Sequence, residues 1–558
     1  MASSSYDYVI VGGGVAGLVL ASRLSKLLSP SDTKQILVLE AGTDPSTTDH
    51  ILTSHGIHLA RTSPHSYQLA ISPNPNLNGR DTTVPVGKAL GGSAAINGGA
   101  WTRGPKSDYD LWAKIVGDDS WGYDALLPYM RRVESAVVPE GMAKDETQHG
   151  YDGPLKLTPI RALWPSRKYP LRESVQKMWE EAGVRYIPDG NAGDQNGLVE
   201  FVEVWANGAR QLPSKVFDLS KVDVRTMSVV QRVTFAKVEG LEHPVANGVD
   251  LVGGEHVVAN KEVIVCAGTY HTPQVLMLSG IGDPAELAKH GIHTTASNLE
   301  VGRNVADHLA AGINWKLKYP EKGLSIGSPL FVDPSYFSGW PLDFIEFGAL
   351  DELARLEALT KTQEERDLLL RPDASHMEIA TLYAAMGKRF TGLDAPLDGS
   401  YISTVVAYLT TTSRGSITLQ SATVEDPPAI DMNWFATDTD RFGLRESLRK
   451  AASVHLETEA GRSFISHEVA PEGYACITKD TTDEEIDNRI AEFGYSFDHP
   501  MGSCAMGKVV DSHCRVMGVR GLRVVDASVF PVPMACHPQS VVYATAERVA
   551  EWIGRGDS

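Results

Sequence analysis

Cysteine is scarce. Cys266, Cys476, Cys504, Cys514 and Cys536 are the five in 558 residues, an odd set with no Cys-x-x-Cys pair. That excludes a disulfide scaffold, predicts no zinc or other metal site, and points to a reducing compartment. Positive charge is in deficit as well: 51 Lys plus Arg face 70 Asp plus Glu, a formal charge of -19. Such a chain repels a phosphate backbone, and with no basic tail to offset this, nucleic acid is excluded as a partner. Long apolar runs are missing too. The longest, Val9 to Ala21, holds four Gly, ends at Ser22-Arg23 and is too short to span a bilayer, so no membrane partner is expected. The N-terminus runs Met1-Ala2-Ser3-Ser4-Ser5 into Tyr6 without a basic stretch or cleavage pattern, and there is no Asn-x-Ser/Thr acceptor. The expected location is cytoplasmic. Repeats and low-complexity tracts are absent. What is present is 42% hydrophobic and 22% charged residues, enough for a large core in two or more structural units.

The first motif lies near the start. Tyr8 to Val11 reads as a strand, Gly12-Gly13-Gly14-Val15-Ala16-Gly17 as a tight turn, and Leu18 to Leu28 as a helix with Arg23 and Lys26 on its polar side. Gly12 permits the turn, Gly14 lets backbone approach a pyrophosphate at the helix N-terminus, and Gly17 lets helix and strand pack closely. Ile36 to Leu39 is a second strand ending at Glu40, whose carboxylate accepts from ribose hydroxyls and repels a 2'-phosphate. A lone GxGxxG is equally compatible with an ordinary strand-helix-strand turn; the strands, helix and acid together favour a dinucleotide, either NAD or FAD.

Later segments carry further patterns. Gly91-Gly92-Ser93 and Asn97-Gly98-Gly99-Ala100 are small-residue clusters whose amides suit phosphate or the polar edge of a ring, though by composition they are also plain loop. Glu262 to Gly282 reads as a buried strand, a turn, and a helix ending at Gly. Near the C-terminus come His499-Pro500-Met501-Gly502-Ser503, Leu522 to Ser528, and His537-Pro538-Gln539-Ser540 ahead of a terminal helix from Val541 to Ile553.

In this order, from Tyr6 to Trp552, the motifs resemble the glucose-methanol-choline (GMC) family of FAD-dependent oxidoreductases. Val86 to Asn97 looks like the family's first signature, Gly268 to Gly282 like its second, and Leu299 to His308 like the segment that follows. The resemblance implies FAD as cofactor, held by Gly12, Gly14, Val15, Ala16, Gly17, Glu40 and Ala41 at its nucleotide end. It implies a backbone contact from Val230 to adenine, and contacts from Gly91, Gly92, Ser93, Asn97, Gly98, Gly99, Ala100, Ala267, Asp526, Ala527, Pro538, Gln539 and Ser540. Ile96 stands where choline-oxidase-like members carry the His bonded to the flavin, so FAD is expected to be non-covalent. Val86 replaces a frequent Arg, and Ser503 replaces Thr while keeping the hydroxyl.

The same resemblance puts two catalytic imidazoles at His499 and His537, as in aryl-alcohol oxidase-like members. Oxidising an alcohol removes a proton from oxygen and a hydride from carbon. A neutral imidazole suits the first step without a large environmental shift, and the hydride passes to flavin N5. His499 is assigned as general base and His537 as the group that orients the substrate oxygen, with the roles open to exchange. The Pro after each restricts the backbone and helps aim each ring. His271, His308 and His513 read as structural, and Cys504 and Cys536 as small buried hydrophobes. Trp101 is expected at the site entrance. Phe493, Tyr495 and Phe497 form a candidate apolar wall that is equally a core strand.

The expected fold class is α/β: a Rossmann-like FAD-binding part over 5–312, an α+β substrate domain on an antiparallel sheet over 313–490, and a segment, 491–558, returning to the FAD part with both histidines. Segments 139–152 and 318–335 are candidate surface loops or lids. The expected activity is oxidation of a primary or activated alcohol, aromatic or secondary-metabolite in type, to the carbonyl. Oxygen or another acceptor takes the electrons. The alternatives are a hydroxynitrile lyase of the same family, which keeps FAD without redox chemistry, and a non-enzymatic flavin-binding module, which fits poorly with both imidazoles intact. Oligomeric state is not legible.

Overall fold

A computed structural model describes residues 4–28 and 35–556. The N-terminal reading that turns on Met1 to Ser3 lies outside the described residues. The first sheet runs in the order Val222–Arg225, Ile36–Leu39, Ser4–Val11, His256–Val265, Val245–Leu251, Val230–Ala236, with Leu522–Val524 also paired to His256–Val265. Pairings from Val222–Arg225 through to His256–Val265, and that to Leu522–Val524, are parallel, while the ribbon 230–251 is antiparallel. Parallel strands covered on both faces need apolar residues throughout, and all four residues of Ile36–Leu39 are buried. Each such side chain contributes roughly 1.5–3 kcal/mol by leaving water.

Helix Val15–Leu27 follows the first strand, and the terminal helix Gln539–Arg555 packs alongside it. A bidentate ion pair joins them: Arg23 Nε and Nη2 donate to Glu547 at 2.6 and 2.9 Å. The helix is one residue shorter at its C-terminus than the spacing predicts and starts three residues earlier, inside the glycine turn.

The second sheet has the order Ile465–Glu468, Leu309–Leu317, Tyr401–Tyr408, Met377–Leu382, Phe344–Gly348, Gly197–Glu200, Tyr186–Ile187, with Tyr495–Ser496 also paired to Leu309–Leu317. It is antiparallel except for its last pair. Two of its strands lie before residue 312, and Leu309–Leu317 straddles that position. Residues 351–370 hold two helices, Leu353–Leu359 and Gln363–Leu369, the second opened by a capping box at Thr362 and Glu365.

The 139–152 segment is anchored by charge. His149 Nδ1 lies 3.2 Å from Glu134 Oε2 and Nε2 lies 2.8 Å from Asp189 Oδ2, and Arg103 pairs with the same Glu134. Burial opposes protonation of His149, but the hydrogen bonds to Asp189 and Glu134 overcome it and push its pKa up to about 9. Among the described residues no helix is long and apolar enough to cross a membrane.

Candidate active site

A cavity of about 1110 Å³ runs between the two sheets. At one end the Gly12 turn is fixed by sterics: its φ is +109°, and a Cβ there would fall 2.3 Å from the Cys266 carbonyl oxygen. Gly17 does not line the cavity; a Cβ on it would lie 2.1 Å from the Gly12 oxygen, so its role is close packing of helix against turn. Glu40 Oε2 accepts from Gly13 N and Oε1 from Gly42 N, both at 2.8 Å. Burial pushes its carboxyl up, against the amides of Gly42, Gly13 and Ala41 that draw it down. Among the described residues no side chain caps the helix that starts at Val15. Its amides and positive dipole end are left for an anion. These features fit the diphosphate and ribose of FAD.

Further along, Gly92, Ser93, Asn97, Gly98, Gly99 and Ala100 line the cavity, as do Val230, Ala267, Asp526, Ala527, Pro538 and Gln539. Asn97 Oδ1 accepts from Arg210 Nη1 at 2.8 Å, and Asn97 Nδ2 donates to Gln539 Oε1 at 3.3 Å. Gln539 in turn donates to the Ala100 carbonyl. The first signature is thus tied to the terminal helix. Indole nitrogens of Trp205 and Trp340 both donate to the Gly98 carbonyl, at 3.0 and 2.6 Å. Asp526 accepts from Gly268 N, Thr272 Oγ1 and Ser528 N, bracing the start of helix Gly268–Leu278. Ile96 lines the cavity and has no atom able to bond a flavin.

Besides Gly17, three expected positions fall elsewhere. Gly91 lies off the cavity, its N–H donating to the Gly13 carbonyl at 2.7 Å and so joining the two glycine turns. Ser540 is buried and donates to the Thr102 carbonyl at 2.6 Å. Trp101 is not at the entrance. It is buried, its indole pointing to Glu134 at 3.3 Å and its ring against Tyr543, because the Arg103–Glu134 pair draws that segment into the core.

The imidazoles meet at the other end. The turn before His499 is set by Ser496, whose Oγ accepts from Asp498 N at 3.0 Å, and by Asp498 in the left-handed region at φ 60°. His499 N donates to Asp307 Oδ1 at 2.9 Å. Asp307, fully buried, also accepts from Ser496 Oγ and Trp434 Nε1; burial pushes it up to about 7 despite these donors. His537 N donates to Thr102 Oγ1 at 2.7 Å. The two imidazole centroids are 4.7 Å apart at 78°, and the Phe497 ring stands 4.8 Å from one and 5.4 Å from the other. All three residues line the cavity. Burial, then the neighbouring His537 and His308, hold His499 well below the usual histidine range, so it is neutral at physiological pH.

Two residues here went unassigned in the sequence. Glu378 Oε1 accepts from His537 Nε2 at 3.0 Å, from a strand, Met377–Leu382, in which every residue is buried. A carboxylate in such a strand is the signal that was there to find. His308, read as structural, lies with Nδ1 3.0 Å from His499 Nδ1. The buried thiols of Cys504 and Cys536 are pushed up by desolvation and are poor nucleophiles.

The antiparallel sheet roofs this end. Period-2 alternation puts Glu378, Ala380 and Leu382 on one face, and the register sets Ile345 and Val405 beside Ala380 and Ser403 beside Leu382. All six line the cavity, joined by Phe201, Trp340 and Phe390. The roof is apolar apart from Ser403 and from Glu378, which already holds His537.

A family model described as GMC oxidoreductase matches residues 6–310, and a second with the same description matches residues 411–546. The chain is 38% identical to the GMC-type oxidoreductase acuG of Aspergillus aculeatus, covering 99% of each. It is 31% identical to an oxygen-dependent choline dehydrogenase of Staphylococcus xylosus, covering 98% of this chain and 95% of that one. In three dimensions it is similar to a formate oxidase of Aspergillus oryzae RIB40, with a TM-score of 0.87 and 26% identity over 100% of this chain and 99% of the other.

Proposed function

The chain belongs to the GMC oxidoreductase family and is an FAD-dependent oxidoreductase, and from that premise we propose that it oxidises a primary or activated alcohol with an apolar, ring-bearing body to the carbonyl. The observation that carries this reading is the pair of imidazoles 4.7 Å apart on the wall of a cavity with an apolar roof. Choline and formate, named for two of the relatives, are small charged molecules that such a roof would not reward.

His499 takes the hydroxyl proton, its depressed basicity keeping it in the neutral, accepting form. His537 orients the substrate beside His499, with Glu378 accepting from its Nε2 and fixing the ring. FAD, when bound, accepts the electron pair that leaves the carbinol carbon as hydride. Phe497 packs against both imidazoles and limits their rotation. Oxygen or a second acceptor then takes the electrons. In this reading the residues of 5–312 and 491–558 hold the cofactor, and 313–490 supplies most of the roof of the alcohol pocket, with Phe201, Phe497 and the two imidazoles added from the flanking segments.

Anaerobic addition of alcohols tests it. Aryl and other apolar primary alcohols should bleach the flavin absorbance, whereas choline and sugars should do so at least tenfold more slowly. A panel run with oxygen and with an electron-accepting dye then identifies the acceptor. Cyanohydrin cleavage without any bleaching by alcohols would overturn the proposal in favour of a lyase.

A further inference from the structure

An imidazole accepts a proton only on the nitrogen that does not already carry one, so a histidine base works in one of its two neutral tautomers. The nitrogen of His499 left to the cavity is Nε2, because Nδ1 is engaged by His308. The two Nδ1 atoms lie 3.0 Å apart, with the rings at 86°. At that distance the pair shares one hydrogen, since two N–H groups or two lone pairs would repel. If His308 donates it, the hydrogen of His499 sits on Nε2 and the ring cannot accept from a substrate. If His499 donates it, Nε2 presents a lone pair to the cavity.

The surroundings of His308 decide between these. The ring is fully buried; desolvation and the charge of His537 bring it down to about 3, so it carries a single hydrogen. Leu309 pairs with Tyr408 across the sheet, which brings Leu409 beside His308, and the Leu409 carbonyl favours a proton on that ring. A carbonyl only accepts. Nε2 of His308 has no hydrogen-bond partner among the described residues; because Nδ1 already faces His499, Nε2 is the position left at which the Leu409 carbonyl favours the hydrogen. The Nδ1 of His308 is then a bare acceptor. The backbone locks the arrangement, with Phe497 N donating to the His308 carbonyl at 2.9 Å and His499 N donating to the adjacent Asp307 at 2.9 Å.

We infer that His308 is a positioning residue that selects the base-competent tautomer of His499, by accepting the Nδ1 hydrogen and leaving Nε2 bare toward the substrate. The inference rests on the reading of His499 as the proton acceptor. It is tested on the holoenzyme labelled with ¹⁵N-histidine, the His499 signals being assigned by their loss in His499→Ala. Long-range ¹H–¹⁵N correlations should show a protonated Nδ1 and an unprotonated Nε2 for His499; the reverse pattern overturns the inference. His308→Gln offers an amide oxygen to the same hydrogen and should keep kcat within about fivefold. His308→Leu, which offers nothing, should lower kcat by about 10- to 100-fold, with KM and the flavin spectrum little changed. Equal losses in both variants, or none in His308→Leu, overturn it. If His308→Leu does not accumulate as yellow protein, the tautomer spectra of the wild type and His308→Gln decide alone. Full activity in His499→Ala would instead overturn the assignment of the base, a failure distinct from a reversed tautomer in an enzyme that still depends on His499.

Discussion

At the glycine end of the cavity the contributing atoms come from two short stretches, 12–17 and 39–42, and are mostly backbone. At the imidazole end His308, Glu378, His499 and His537 arrive from four separate segments, with contacts spanning 191 residues between His308 and His499 and 159 between Glu378 and His537. The first end is set by what φ and ψ allow over a few residues. The second exists only once a sheet has closed. One end is set by steric fit, Gly12 having no room for a Cβ, and the other by hydrogen bonds between side chains far apart in sequence.

Gly12→Ala probes the contrast hardest. Its Cβ would meet the Cys266 carbonyl, so the protein should purify without flavin, and activity should fall by about a thousandfold, several kcal/mol of strain translated into lost binding. A yellow Gly12→Ala enzyme would show that the turn has slack. At the other end, His499→Ala should lower turnover by about 100-fold or more with FAD retained, and His537→Ala likewise. Flavin absorbance measured beside the rate separates the two ends. Because His499 is held below the usual histidine range, its neutral form persists as pH falls. The acid limb of kcat/KM should therefore lie below the unperturbed histidine value of about 6.5, and a limb at or above that value would contradict the burial argument. Glu378→Gln should cost less, about tenfold in kcat, since the amide still reaches His537 but no longer accepts as a carboxylate; its measure is the kcat ratio at matched flavin content.

The smallest effect lies outside both ends. His149 titrates near 9 in the folded protein against about 6.5 when unfolded. The stability it contributes is thus complete below about pH 6.5 and disappears as pH rises through about 9. His149→Gln should lower the unfolding temperature at pH 6 and become indistinguishable from the wild type near pH 10. A constant deficit would mean that packing, not charge, holds the loop.

Legibility in the sequence follows the same division. The strand Ile36–Leu39 and its terminal Glu40 were readable because an apolar run and its last residue are local facts. The terminal helix extends only two residues beyond its expected span at each end. Trp101 was misplaced because its surroundings depend on Glu134, which reaches it through a separate strand. His308 could not be separated from other histidines until Leu309 was known to pair with Ser496, which aligns the residues just before one strand with those just after the other. The roof strand hid Glu378 for a related reason: nothing in the neighbouring apolar sequence says which partner satisfies a buried carboxylate.

The clasp between Arg23 and Glu547 sets a timetable for biosynthesis. Its halves are 524 positions apart, which at about 5–20 residues per second is roughly half a minute to two minutes of translation. Throughout that interval the opening helix is without its partner, so a chain terminated before Glu547 lacks both the ion pair and the helix that covers that flank.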